Sequence, residues 1–326
     1  MKKSTLIICK RIHYFKMKEK NISENSIVNN RKRCSTGGIR IQAKNSDKNQ
    51  LIDDHPCYSY EASKKFARLH LPVAPKCNIQ CNYCDRKYDC VNESRPGVTS
   101  RVLDPEAATL LVHHCINQKS NIKVVGISGP GDPLANAEET FITFKNINKY
   151  YPEIHLCIST NGLKLREYLS DIIACGIKHV TVTVNMIDPE IGKNIYAYAF
   201  YQNRKLEGKE ASELIAEVQA EAISLLVKNN ILCKVNTVVI PGINDHHIPE
   251  IANTCSKLGV YIHNIIPMIY CENTNFSRLG IKSPSKKMLT DISLKCDGII
   301  RTMHHCKRCR ADAIGYLTEE KVMEIA

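Results

Sequence analysis

The sequence predicts an α/β fold: a parallel sheet with covering helices, either curled into a full or partial TIM-like barrel or left open as a doubly wound sheet. Two observations carry that reading. Strand-like and helix-like runs alternate about six times beyond His55. The turns rich in Gly, Pro and Asn all follow strand-like runs, so they should converge on one mouth at the C-terminal ends of the strands. There is no internal repeat.

The elements follow in order. Residues 69–74 form a short apolar run bounded by Pro75, a buried-strand pattern. Asp104 starts a helix as its cap, with Pro105 at the first helical position, Glu106 in the first turn and an apolar face through Leu110, Leu111 and Cys115. Further strands are expected over residues 122–127, 154–159, 178–184, 231–240 and 260–266. Further helices are expected over 135–150, 165–174 (stopped by Gly176), 210–228, 249–258 and 285–294. Residues 1–50 are polar, rich in Asn, Ser and Lys, and carry a Gly37-Gly38 pair. They are expected to form a disordered basic tail ahead of a core over residues 51–326.

Composition narrows the function. The tail holds 13 Lys or Arg against 3 acidic residues, which is +10 of the net charge of +12. The remaining body is close to neutral and has little electrostatic reason to bind nucleic acid. No apolar run approaches the roughly 20 residues of a membrane span, and residues 6–9 are too short for a signal-peptide core. A cytoplasmic protein is expected. Its 16 cysteines then point to metal rather than to disulfides, because cytosolic thiols are kept reduced.

The run CNIQCNYC at 77–84 has C-x3-C-x2-C spacing and directly follows the first strand. Thiolates are soft ligands suited to iron–sulfur clusters. Three thiolates from Cys77, Cys81 and Cys84 can hold three irons of a cubane and leave the fourth open to a small molecule. Structural zinc sites, the competing reading, usually close with four ligands.

This motif, placed after the first strand of a βα barrel, resembles the radical SAM (S-adenosylmethionine) superfamily. The resemblance implies a (β/α)6 partial TIM-like barrel, here with cluster-bearing N- and C-terminal extensions. It also implies a [4Fe–4S] cluster whose open iron chelates SAM and cleaves it to a 5′-deoxyadenosyl radical. The turn GPGDP at 129–133, with Gly129, Gly131 and Asp132, resembles the segment that receives the methionine amino group. Ser159 and Asn161 in STNG (159–162), and Asn185, stand where ribose and carboxylate are bound. VIPGIND at 239–245 resembles the segment near adenine.

Within the superfamily the likeness narrows to the NifB family of nitrogenase cofactor biosynthesis. It rests on HPCYS (55–59), ARLHLPVAPKCNIQCNYC (67–84), RKYDCVNESRPGVTS (86–100), GPGDPLAN (129–136), STNGL (159–163) and HHCKRCRADAIG (304–315). The chain departs from the family at Asp85, where Asn is usual, and at Ser63 and Lys64, where His is frequent; these are expected at the cluster's rim. The likeness runs from about His55 to Gly315, and the carrier-like C-terminal domain of some relatives is not expected in it. The resemblance implies a lyase-type radical enzyme that fuses two auxiliary [4Fe–4S] clusters into an eight-iron core. One SAM donates a methyl group, a second supplies the radical that abstracts its hydrogen, and further deprotonation leaves a carbide; a ninth sulfur is added. The implied partners are iron–sulfur cluster donors, a downstream cofactor carrier or scaffold, and an electron donor such as ferredoxin or flavodoxin, with no membrane and no nucleic acid.

A ligand count accompanies that resemblance. Cys57, Cys90, Cys157, Cys306 and Cys309, with His55, would supply three ligands to each of two further clusters, three clusters in all. The alternatives stay open: Cys157 as a buried strand residue, Cys306 and Cys309 as a zinc half-site, and His55 as a turn-packing residue. Glu93 could take protons from the methyl-derived carbon, bind SAM, or pair with Arg95. Arg308 and Arg310 could offset cluster charge or be solvated. Cys115, Cys175 and Cys255 read as core; Cys9 and Cys34 lie in the tail; Cys233 and Cys271 are ambiguous. A peptide-modifying radical SAM maturase and a non-catalytic iron–sulfur carrier are the competing functions. If residues 1–50 are a solvated extension, a chain beginning at Leu51 should fold and cleave SAM as the parent does. Loss of soluble protein, or of 5′-deoxyadenosine at equal iron content, would show the tail to be structural.

Overall fold

A computed structural model describes residues 51–92, 101–118, 121–317 and 320–322. The expected basic tail, with Cys9 and Cys34, lies outside the described residues, as do Glu93 and Arg95. The described residues belong to one unit, Asp47–Ala326.

Six parallel strands form the frame: β1 (Ala67–His70), β3 (Ile122–Ile127), β4 (His155–Thr160), β5 (His179–Thr183), β8 (Leu232–Val239) and β9 (Ile262–Pro267). They pair in that order, and the sheet curls into a half-barrel in which β9 and β1 remain apart. Two antiparallel strands, β10 (Ala313–Gly315) and β11 (Glu320–Val322), extend the β1 edge. The covering helices are α1 (Tyr60–Lys65), α2 (Pro105–Gln118), α3 (Ala137–Tyr150), α4 (Leu169–Ala174), α5 (Pro189–Ile195), α6 (Gly208–Lys228), α7 (Ile248–Leu258), α8 (Asn275–Arg278) and α9 (Lys286–Asp297). Asp104 caps α2 as expected, its carboxylate accepting from Ala107 N at 2.7 Å. Gly259 ends α7 with φ of 83°, in the left-handed region that glycine enters at least cost.

The strand alternation sorts side chains onto two faces. Val125, Leu156, Ile158, Val180, Val182 and Val235 point outward into one apolar cluster with the helices. Cys115, Cys175 and Cys255 belong to that cluster, as expected, and Cys233 and Cys296 join it. The opposite face is polar. In-register pairs bring His70 beside Gly126, Gly126 beside Cys157, Ser159 beside Thr181, Thr181 beside Lys234 and Asn236 beside Asn264. A packed barrel fills these positions with Val, Ile and Leu; this one does not.

Two expectations need correction. The first strand is Ala67–His70, not 69–74. Leu71 N makes the last bond to β3, at Gly126 O, and Pro72 has no N–H with which to continue the ladder. The expected helix over 165–174 is confined to its last turns, Leu169–Ala174. Between β5 and α6 lie elements not expected at all: α5 and a hairpin of β6 (Tyr196–Tyr201) and β7 (Arg204–Glu207). Its β6 pairs with β2 (Ile79–Cys81) in a second sheet.

Two buried imidazoles make the fold acid-sensitive. Burial lowers His179, at the start of β5, from the ordinary 6.5 to about 3, and lowers His263, in β9, to about 4. The unfolded chain takes up these protons below about pH 6.5 while the folded chain does not, so stability falls as pH drops from there toward about 4. The urea midpoint of metal-free protein should therefore fall between about pH 7 and about pH 5, and His263→Leu should shrink that fall. An equal fall in the variant would show that His263 does not contribute.

Candidate functional site

The cysteine motif folds as a loop pinned at both ends. Cys81 ends β2, which hydrogen-bonds to β6, and Asn82 N donates to Ile195 O at 2.8 Å. Gln80 Nε2 donates to Cys81 O at 3.1 Å and to Cys84 O at 2.8 Å, closing the loop over its own backbone. Arg86 Nε donates to Gln80 Oε1 at 2.9 Å, and its Nη2 donates to Ile79 O.

The segment entering the loop is held by the turn at 129–133. Gly131 N donates to Ala74 O at 2.6 Å, and a Cβ on Gly131 would lie 2.2 Å from Lys76 O, so only glycine fits. Asn136 grips Lys76 from both sides, its Oδ1 accepting from Lys76 N at 3.1 Å and its Nδ2 donating to Lys76 O at 2.8 Å. Asp132 ties this turn to the next. Its carboxylate accepts from Leu134 N, Thr160 Oγ1 and Asn161 N, the last at 2.7 Å. Asn161 Nδ2 in turn donates to Asn78 Oδ1 at 2.7 Å and lies 3.8 Å from Cys77 Sγ.

These elements border a pocket, open to solvent and spanning about 660 Å³, lined by Cys77, Cys81, Cys84 and Cys90, with Gly131, Asp132, Ser159, Thr160 and Asn161. Gly129 is not among its lining residues. Neither is Asn185, whose side chain is occupied elsewhere: Nδ2 donates to Tyr83 OH at 2.7 Å and Oδ1 accepts from Val238 N at 2.9 Å. Tyr83 OH donates to Asn92 Oδ1 at 2.5 Å. Asn185 thus buckles the cysteine loop to β8 from outside the cavity. Burial pushes Cys81 up to about 12 and Cys84 to about 11, against the pull of the Arg86 guanidinium beside them.

A second cavity, of about 680 Å³, occupies the hollow inside the strands. It receives His55 and Cys57 from the N-terminal segment, Cys157 from β4, and Cys306 and Cys309 from the segment before β10. Three residues that sequence reasoning passed over also line it: Arg68, His70 and Lys234. Their signal was a basic residue inside a strand covered on both sides. Three buried polar atoms of this lining lack a hydrogen-bond partner: His55 Nε2, Thr181 Oγ1 and Asn264 Oδ1. Each costs about 1–3 kcal/mol if left so. Asn92 and Ser159 line both cavities and form their common wall.

The two imidazoles differ. Cys57 N donates to His55 Nδ1 at 3.1 Å, which leaves the ring proton of neutral His55 on Nε2. His70 Nδ1 faces Arg310 O at 3.1 Å; a carbonyl only accepts, so the proton is on Nδ1 and the lone pair on Nε2. Of the flanking arginines, Arg308 lines the inner cavity and donates to Pro267 O at 2.6 Å and to Val91 O. Arg310 is neutralised by Asp312 at 2.8 Å. Cys271 is buried outside both linings. Ser63 and Lys64 sit on α1 and line neither cavity. Among the described residues no three His, Cys, Asp or Glu side chains converge on a single-ion position.

Residues 71–255, more than half of the chain, match the radical SAM superfamily. The chain belongs to that superfamily. Membership brings a [4Fe–4S] cluster and SAM as cofactors, and three soft thiols on one wall beside a glycine-opened turn fit such a pair. The chain is 47% identical over 277 residues to the FeMo cofactor biosynthesis protein NifB of Herbaspirillum seropedicae, covering 84% of this chain and 53% of that protein. Against the protein of the same name from Azotobacter vinelandii it is 42% identical over 305 residues, covering 90% and 61%. It therefore spans little more than half the length of these curated relatives. Among solved structures, methylornithine synthase (PylB) shares the fold, with a TM-score of 0.50 at 14% identity over 82% of this chain and 71% of that one. No helix among the described residues is long and apolar enough to cross a membrane.

The grip on Lys76 is testable. Asn136→Leu strips Lys76 N of its partner and should cost about 1–3 kcal/mol in urea unfolding. Because Cys77 is the next residue, SAM cleavage should fall further than the stability loss alone accounts for. Unchanged stability would show that the grip contributes nothing.

Proposed function

We propose that this chain is an iron–sulfur–carbon cluster synthase of the NifB type. In this reading it fuses two [4Fe–4S] substrate clusters with a SAM-derived carbon and an added sulfur into the eight-iron precursor of the nitrogenase cofactor. The observation that carries the proposal is the pairing of the cavities. The outer one holds the cysteine triad and the glycine-bearing turns. The inner one, across the shared wall, is lined by four thiols, two imidazoles and three basic side chains, and by no carboxylate. Soft donors and positive charge suit an iron–sulfur anion. A peptide substrate gives no reason for that lining, and a simple carrier has no use for the outer cavity.

The residue roles follow. Cys77, Cys81 and Cys84 hold the resident cluster, and Gly131, Asp132, Ser159 and Asn161 form the SAM wall. When bound, cluster and SAM supply a 5′-deoxyadenosyl radical and a methyl group. Cys57, Cys157, Cys306 and Cys309 hold the substrate clusters from inside the barrel, and Cys90 reaches them from the outer wall. His70 presents a nitrogen lone pair without rearrangement, whereas His55 must first lose its hydrogen bond or its proton; His70 is therefore the better imidazole ligand. Glu93 directly follows Asn92 of the shared wall, and we assign it the carboxylate role toward the methyl-derived carbon or SAM. Cluster donors, a downstream cofactor carrier or scaffold, a ferredoxin- or flavodoxin-type electron donor and a cytoplasmic setting complete the proposal.

Iron counting tests it. Anaerobically reconstituted protein should bind about twelve irons, as three four-iron clusters. Replacing Cys77, Cys81 or Cys84 with Ala should abolish 5′-deoxyadenosine formation. Replacing Cys306 and Cys309 together with Ala should remove about four irons while leaving SAM cleavage measurable, and should end activation of cofactor-free nitrogenase. A parent that binds only about four irons, or a double variant that still supports cofactor assembly, would leave a radical SAM enzyme with another substrate.

A further inference from the structure

Thr181, in β5, is fully buried and lines the inner cavity. Its Oγ1 has no hydrogen-bond partner. Other buried threonines differ in this. Thr140, Thr143, Thr160 and Thr237 donate their hydroxyls to Pro133 O, Glu139 O, the Asp132 carboxylate and Val184 O, at 2.9, 2.7, 2.9 and 2.6 Å. A buried hydroxyl without a partner destabilises a fold, whereas an apolar group of the same shape does not. Valine is that group, and it suits a strand as well as threonine does. Val180 and Val182 flank Thr181 in β5. Neither packing nor strand formation therefore calls for this hydroxyl.

Thr181 pairs in register with Ser159 of β4, and Ser159 lines both cavities. Thr181 thus stands one strand away from the shared wall. Cys157, two residues before Ser159 on the same face of β4, lines the inner cavity as well. A hydroxyl offers one donor and two acceptor positions. Beside Cys57, Cys157, Cys306 and Cys309, which bring soft sulfur to the same lining, a neutral hydroxyl is a poor ligand for iron. Its donor is the useful part. Sulfide and thiolate sulfurs carry negative charge, and a hydrogen bond to a charged acceptor is stronger than one between neutral groups.

We infer that Thr181 is a substrate-binding residue of the inner cavity, its Oγ1–H donating to a sulfur of the iron–sulfur guest. The inference rests on the function proposed above. A donor on sulfur retains the guest without occupying an iron, which leaves the irons free for fusion. Because Thr181 is level with Ser159, the sulfur it holds lies toward the wall from which the SAM-derived carbon must come. The hydroxyl adds nothing to the empty fold, and its contribution begins when the guest is bound.

Two exchanges separate binding from structure. Thr181→Val removes the hydroxyl and keeps the shape, and Thr181→Ser keeps the hydroxyl and removes the methyl group. In metal-free protein the urea midpoint of Thr181→Val should equal or exceed that of the parent. In the anaerobically reconstituted full chain, iron beyond the triad cluster's share should pass to a ferrous chelator about tenfold faster in Thr181→Val than in the parent, the loss expected of one hydrogen bond to a charged acceptor. The triad cluster of the same sample, followed by electron paramagnetic resonance with SAM present, is the reference. Thr181→Ser should lose iron at nearly the parent's rate. A parent-like rate in Thr181→Val would overturn the inference while the parent's iron count upholds the function. A lower urea midpoint in Thr181→Val would overturn it too, by showing that the hydroxyl supports the empty fold. Equal acceleration in Thr181→Val and Thr181→Ser would do the same, by showing that iron retention follows side-chain shape. A parent with a single cluster would remove the function itself, and this inference with it.

Discussion

The inner face of a parallel strand is where a barrel is usually filled, and here it is left hollow and polar. Register makes this a property of the whole sheet. His70, Gly126, Cys157, Thr181, Lys234 and Asn236 face one way because their strands pair as they do, and a one-residue slip would turn any of them into the apolar layer. The outward residues, Val125, Ile158, Val180 and Val235 among them, bury against the helices and supply the stability. Function and stability thus occupy opposite faces of the same strands. The unpartnered atoms of His55, Thr181 and Asn264 are a cost that this outer layer can offset.

The cysteine loop depends on the same sheet. Cys77 is placed by Lys76, which Asn136 and Gly131 hold at the end of β3, and by Asn161 at the end of β4. Asp132 makes the two turns one unit by accepting from Thr160 and Asn161. On the far side, Tyr83 hangs between Asn92 and Asn185, and Asn185 is bonded to β8. The loop is therefore positioned by the mouths of three strands, which is why a motif of eight residues can serve as a rigid wall.

What could be read in the sequence was local. The triad, the turn at 129–133 and the turn at 159–162 are contiguous segments, and each lines the outer cavity. The six strands were legible because their apolar runs are long and their helices intervene. Residues whose role depends on register were not. Asn185 reads as a polar residue at a strand end, yet both ends of its amide are used for support. Arg68 fell one residue outside the expected first strand, because the apolar run drew its boundary past Pro72. Lys234 sat inside an expected strand, but nothing local states which face it takes. The β6–β7 hairpin was hidden because Tyr, Ala and Phe in YAYAFY fit a helix margin as well as a strand, and its pairing partner is three residues of the cysteine motif itself.

The electrostatics of the two cavities follow from this burial. Withdrawal from water raises Cys77, pushes Cys81 to about 12, and pushes Cys84 and Cys309 to about 11. Without metal these sulfurs keep their protons at neutral pH, so taking up iron must release them. The negative charge left on sulfur then lands beside a guanidinium in each cavity. Arg86 stands against the triad, and the fork of Arg68 stands against Cys309. The cations do not make the free thiols acidic; burial outweighs them. Their effect is realised once iron has displaced the proton, so the same residues that tolerate an empty, neutral site favour a loaded, anionic one.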